Sequence, residues 1–206
     1  DKNFVFLLRM LKRSLDLNGK ILSIVCSSTE PEFNDIKKLT QFVDFVNLKC
    51  FDLQGSWDVQ TNIHCAGNSL AEIVEFWIDE KGCQRDKLVI GVPLYGRSFT
   101  LLDQDCNEVG SLTSDIGGPD ILGYNEIVHN LHHQDWTRYF SEPHSSPYAV
   151  CGDQWVGYDD AESITHKIKI IKREGLGGMM FWGIENEIYK DCSEWKKFLL
   201  IKLAMY

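Results

Sequence analysis

No run of apolar residues in this chain is long enough to cross a bilayer, and no charged segment leads into a cleavage site. Neither a transmembrane helix nor a signal peptide is therefore expected. There is no N-x-S/T sequon to accept an N-linked glycan. No CxxC pair offers metal-ligand spacing, so neither a metal nor a cofactor is implied. Basic residues are scarce and nowhere form a run: 21 against 30 acidic ones leave a net charge of -9. That balance disfavours nucleic acid and anionic membrane surfaces as partners. A neutral ligand is indifferent to it.

What is present is an ordinary globular composition, 44% hydrophobic and 25% charged over 206 residues. The length suits one domain with room for a small insertion. Seven cysteines, at positions 26, 50, 65, 83, 106, 151 and 192, are many for a reducing compartment. Their odd number leaves at least one thiol without an intrachain partner. Cys26 and Cys50 sit in strand-like runs and read as buried thiols. The opening residues, DKNFVFLL, read as the middle of a longer sequence.

Phe4, Leu7, Leu8, Leu11 and Leu15 recur at helical spacing, with Asp1 or Asn3 as cap and Gly19 as stop. ILSIVC (21–26) reads as a buried strand, 34–41 as a short helix and FVDFVNLKCF (42–51) as a second strand. A helix over about 68–82 puts Leu70, Ile73, Val74, Trp77 and Ile78 on one side, and KLVIGVPLY makes a third strand. Ala161 to Glu174 predicts another helix, carrying Ile164, Ile168 and Ile171 and stopping at Gly175. GLGGMMFW makes a fourth strand, and Ser193 caps a last helix. Strand and helix alternate four times, which argues for parallel β/α units. The exception, about 98–160, holds Gly117, Gly118 and Pro119 with polar clusters, and reads as an inserted α+β subdomain. The expected division is 1–97 for β/α units, 98–160 for the insertion and 161–206 for a final helix-strand-helix. Periodicity alone leaves open whether four units make an open sheet or part of a barrel.

Functional groups of parallel β/α folds gather where strands end. Here those ends read KCFDLQGSW, GVPLYGRSF and MMFWGIENE, each setting an aromatic beside a charged or polar group. That combination suits carbohydrate, whose rings stack on aromatic faces while charged groups and amides take the hydroxyls. Packing under loops is the competing reading for any one of the three. Within the second strand, Lys49 and Phe51 share a face and Cys50 takes the other. An ammonium inside a barrel needs an anion or its neutral form, whereas one at a solvated edge needs neither. Glu126, His129, His132 and His133 imitate ligand spacing but read as a solvated helix face, and Asp159, Asp160 and Glu162 as acids at a helix start.

The long motifs VDFVNLKCFDLQGSW, LVIGVPLYGRSFTL, QWVGYDDAESI and GLGGMMFWGIENE stand in the order of the C-terminal half of a family 18 glycoside hydrolase. Among chitinases and chitinase-like lectins, the chain most resembles the arthropod members, over essentially its whole length. The resemblance implies an α/β fold, the C-terminal half of a (β/α)8 TIM barrel with an α+β insertion. It implies chitin or chitooligosaccharides as ligand, an extracellular location, and substrate-assisted retention in a full-length parent. Asp52 then resembles the sixth-strand aspartate that contacts sugar, an auxiliary catalytic residue. Tyr95 and Arg97 resemble seventh-strand cleft residues, Trp182 the hydrophobic floor under a sugar, and Trp57 an aromatic on the leaving-group side.

The departures weigh as much. The family's acid signature, D-x-x-D-x-D-x-E, is not in these 206 residues. Lys49 stands where the family usually has methionine. Phe51 replaces the tyrosine whose hydroxyl binds the N-acetyl group. The insertion is short between Pro119 and Ile121, and Val128 takes the place of a disulfide cysteine whose usual partner Cys192 resembles. Three readings follow: part of a chitinase, a non-catalytic lectin, or a truncated product without independent function. Its physical basis is the unpaired strand edges of half a barrel.

Overall fold

A computed structural model describes residues 2–28, 33, 35–51, 70–114, 120–188 and 198–205. In chain order, α1 (Lys2–Asp16) is followed by β1 (Ser23–Ser27), α2 (Ile36–Leu39), β2 (Phe45–Lys49), α3 (Leu70–Glu75), β3 (Leu88–Pro93) and β4 (Tyr95–Thr100). Then come β5 (Asp120–Gly123), α4 (Tyr124–His133), β6 (Thr137–Ser141), β7 (Ser146–Cys151), β8 (Gln154–Gly157), α5 (Ala161–Glu174), β9 (Gly178–Trp182) and α6 (Leu199–Ala204). Ser193, the expected cap of the last helix, lies outside the described residues. Two compact units are present: one of Asp1–Phe51, Asn68–Gly91 and Lys169–Met180, the other holding Val92–Ile168 and Phe181–Tyr206.

The first unit is built on strands in the order β1-β2-β3-β9, with β1 parallel to β2 and β2 parallel to β3. Cys26, Val46 and Leu48 are buried on one face, and the register pairs Cys26 with Leu48. Trp77, in the π turn that extends α3, is fully buried, and its indole N–H donates to the Ser28 carbonyl at 2.7 Å. Lys87 donates to the carbonyls of Thr40 and Val43, closing the turn after α2.

The expectation of a buried first strand needs correction. Ile21 is 69% and Val25 44% exposed. β1 is the edge of the sheet, so the side chains that alternate away from the helices meet no covering layer among the described residues. Likewise Leu8 is buried on α1 while Leu7 and Leu11 are exposed.

The β1 edge is held locally by Asp44. Its carboxylate accepts from the Lys12 ammonium at 2.6 and 2.8 Å and from the Leu22 N–H at 2.7 Å, while the Asp44 N–H returns a bond to the Leu22 carbonyl. The Lys12 hydrogen bond, and then the Leu22 N–H, hold the Asp44 carboxyl below the usual range. A depressed carboxyl contributes stability above the unfolded value and loses it as pH falls through the folded one. Asp44→Asn should cost about 1 kcal/mol at neutral pH, discounted for solvent screening. In urea titrations the gap between wild type and variant should close below about pH 4. A gap that persists in acid would assign the effect to something other than the charge.

The second unit is an antiparallel sheet in the order β5-β4-β8-β7-β6. Leu101, Tyr148, Val150 and Trp155 form its core with Phe99 and Val109. At Gly96 a Cβ would stand 2.7 Å from the Gly157 carbonyl oxygen and 2.9 Å from Ile127 Cδ1, so α4 packs directly on the β4 backbone.

Candidate functional site

In the second unit, Tyr95 and Arg97 leave β4 on the same face, as period two requires. Glycines stand across the strand from both: Tyr95 pairs with Gly123, and Arg97 with Gly157 on β8, while Ile121 on β5 flanks Arg97 on its other side. The Arg97 guanidinium lies 5.7 Å from the Tyr95 ring centroid, a cation-π distance that orders the longer side chain. Tyr95 is buried and Arg97 half-buried.

Trp182 ends β9, and its carbonyl accepts the Leu94 N–H at 2.9 Å. The carbonyl of Leu94 in turn accepts the Tyr124 N–H at the start of α4. One short backbone chain thus places Trp182 beside the residue preceding Tyr95. The indole is 47% exposed, unusual for a large aromatic at a strand end. Gly183 follows with φ of 83°, and a Cβ there would stand 2.8 Å from Asn186 Nδ2, so the turn that presents the indole needs glycine.

In the first unit, Lys49 is exposed and its ammonium lies 5.8 Å from the Phe51 ring centroid, as the shared face predicts. Lys49 is thus exposed among the described residues, on a strand that lies within the sheet order rather than at its edge. Phe51 and Cys50 are buried. Asp52 and Trp57 lie outside the described residues. The structure therefore groups Tyr95, Arg97 and Trp182 in one unit and Lys49 with Phe51 in the other.

Two features escaped sequence reasoning. Ile121 is 53% exposed beside Arg97, an apolar contact surface that only the β4–β5 register reveals. Glu187, in the MMFWGIENE segment, is fully buried. Burial pushes its carboxyl up, against backbone N–H bonds from Ile188, Leu200 and Ile201. It anchors the first turn of α6.

The pseudo-metal pattern resolves into ordinary helix chemistry. Glu126 accepts the Gly123 N–H at 2.7 Å, closing the start of α4, and His129, His132 and His133 are exposed along that helix. Asp160 accepts the N–H groups of Glu162 and Ser163 and pairs with Arg138, while Asp159 is buried against Lys167 and Ser163. Val128 is buried, Cys192 is outside the described residues, and Cys83, Cys106 and Cys151 are free thiols. Desolvation raises the Cys83 thiol to about 11, which makes it inert. Among the described residues no helix is long and apolar enough to cross a membrane.

Residues 1–187 match the model of the glycosyl hydrolases family 18. Human chitinase-3-like protein 2 is 35% identical over 182 residues, covering 77% of this chain and 46% of its own length. The solved Group IV chitinase of Ostrinia furnacalis superposes with a TM-score of 0.85 at 28% identity, over 99% of this chain and 62% of that one. The GH18 chitinase of Cycas revoluta, solved in complex with (GlcNAc)3, gives 0.77 at 26% identity, over 90% and 59%. The chain thus spans less than two thirds of each of these proteins.

Proposed function

Because this chain belongs to the glycosyl hydrolases of family 18, we propose that it binds chitin or N-acetylglucosamine oligosaccharides, with the Trp182 indole as the platform under a sugar ring. The observation that carries the reading is the half-exposed indole at the end of β9, fixed by its carbonyl to Leu94 beside Tyr95 and Arg97. A sugar presents an apolar ring face to the indole and hydroxyls to a guanidinium and a phenol. The (GlcNAc)3 bound by the Cycas revoluta relative supports this ligand class. By motif, Asp52 and Trp57 complete the surface, and the chain supplies the C-terminal half of the family's barrel with its α+β insertion.

Hydrolysis is a separate matter. Substrate-assisted retention needs a glutamate to protonate the glycosidic oxygen while the substrate's N-acetyl oxygen attacks the anomeric carbon. These 206 residues hold no D-x-x-D-x-D-x-E to supply it. Phe51 moreover offers no hydroxyl to orient the acetamido group. In a full-length parent with the acid in place the same residues serve a chitinase; without it they serve a lectin. The family implies secretion, and we place the protein outside the cell.

Purified chain should be retained on a chitin column, elute with free chitin oligosaccharide, and release no shortened product from it. Product formation abolished by Asp52→Ala would overturn the non-hydrolytic reading. Passage through the column unretarded would remove the carbohydrate reading itself.

A further inference from the structure

α4 carries three histidines toward its C-terminal end, and two of them share a face of the helix. His129 and His133 stand at i and i+4, which sets their side chains one above the other. Their ring centroids lie 4.7 Å apart at an interplanar angle of 46°, a close approach without parallel stacking. His132 is set off to the side, its centroid 6.4 Å from that of His133. Both rings of the pair are exposed among the described residues.

An ion held about 2.1 Å from one nitrogen of an imidazole sits roughly 3 Å from the ring centre, so two rings at right angles around it have centres about 4 to 5 Å apart. The His129–His133 separation meets that requirement with the helix backbone as it stands, and rotation of the exposed rings brings a nitrogen of each to the ion. Two electrostatic features favour a cation here: the partial negative charge of the carbonyls at a helix C-terminus, and the net charge of -9. Glu126, one turn earlier, already accepts the Gly123 N–H. Among the described residues no group of three or more His, Cys, Asp or Glu is assembled to hold a metal, so the pair supplies two ligands and water the rest.

We propose that His129 and His133 form a bidentate site for a divalent transition ion that prefers imidazole, namely nickel, copper or zinc, and that the ion clamps the last turn of α4. Magnesium and calcium, which take oxygen ligands, gain nothing from this donor pair. The site is separate from the carbohydrate-binding reading and stands or falls without it. An ion bound here ties His133, the last residue of α4, to the turn before it and stabilises the folded state by linkage.

The test is calorimetric titration of the whole chain with nickel chloride at neutral pH, comparing wild type with His129→Gln, His133→Gln and His132→Gln. Loss of either member of the pair should weaken binding on the order of a hundredfold, because the second nitrogen joins as an intramolecular event. His132→Gln should leave the affinity unchanged, and magnesium chloride should not bind. Thiols and imidazoles elsewhere in the chain are common to all four forms and cancel in the comparison. All three positions are exposed, so unfolding midpoints without metal should agree. Nickel should then raise the midpoint of wild type and His132→Gln alone. Nickel affinity that survives in both His129→Gln and His133→Gln, or that falls as far in His132→Gln, overturns the proposal, as does failure of the wild type to bind.

Discussion

Trp182→Ala is expected to weaken retention of chitin oligosaccharides about thirtyfold while leaving the fold intact. A sugar laid on the indole covers roughly 80 Å² of apolar surface, worth about 2 kcal/mol at the usual transfer coefficient, and each 1.4 kcal/mol is about tenfold in affinity. The fold survives because β9 is tied to Leu94 through the Trp182 backbone carbonyl, which the substitution keeps. Trp182→Phe retains a stacking face and should lose only part of the affinity. Oligosaccharide titration of the three forms, with unfolding midpoints as the control, gives the answer. Unchanged affinity in Trp182→Ala would put the binding surface elsewhere.

The second large effect concerns stability. Trp77→Ala should destabilise the chain by about 4 kcal/mol, the cost of a large cavity in a close-packed core together with a lost buried hydrogen bond. Trp77 is fully buried, and its N–H satisfies the Ser28 carbonyl at the end of β1, so it joins the extension of α3 to the first strand. Trp77→Phe keeps most of the packing and removes the donor, and should cost about half as much. Denaturant unfolding of both variants measures the two contributions. A loss below about 1 kcal/mol in Trp77→Ala would mean that the site collapses around the deletion or that the tie to Ser28 contributes little.

Much of the fold is legible in local pattern. α5 runs from Ala161 to Glu174 as expected, because isoleucines at helical spacing mark its buried side and Gly175, with φ of 64°, ends it. The parallel pairing of β1 with β2 and of β2 with β3 follows from strand and helix alternating in the sequence. Trp182 is readable as a candidate because an aromatic at the end of such a strand has few structural duties, and its half-exposed indole supports that proposal.

Other features leave no local trace. The strand order of the second unit places β4 between β5 and β8, partners distant from each other in the chain, and antiparallel register there is set by side chains that meet only after folding. Ile121 becomes a neighbour of Arg97 only through that register. Gly91 looks like any glycine in an apolar strand, yet Met180 and Phe51 close on it from remote positions.

Taken alone, the sequence determined the type and place of most elements and the family, and it nominated Tyr95, Arg97 and Trp182 as candidates. These are properties of spacing and residue identity, which a linear string carries in full. Tertiary structure decided that Val25 and Lys49 are exposed among the described residues, that Glu187 is buried, and that Leu94 holds Trp182 in place. Periodicity tells which residues share a face, but what covers that face is settled by distant segments.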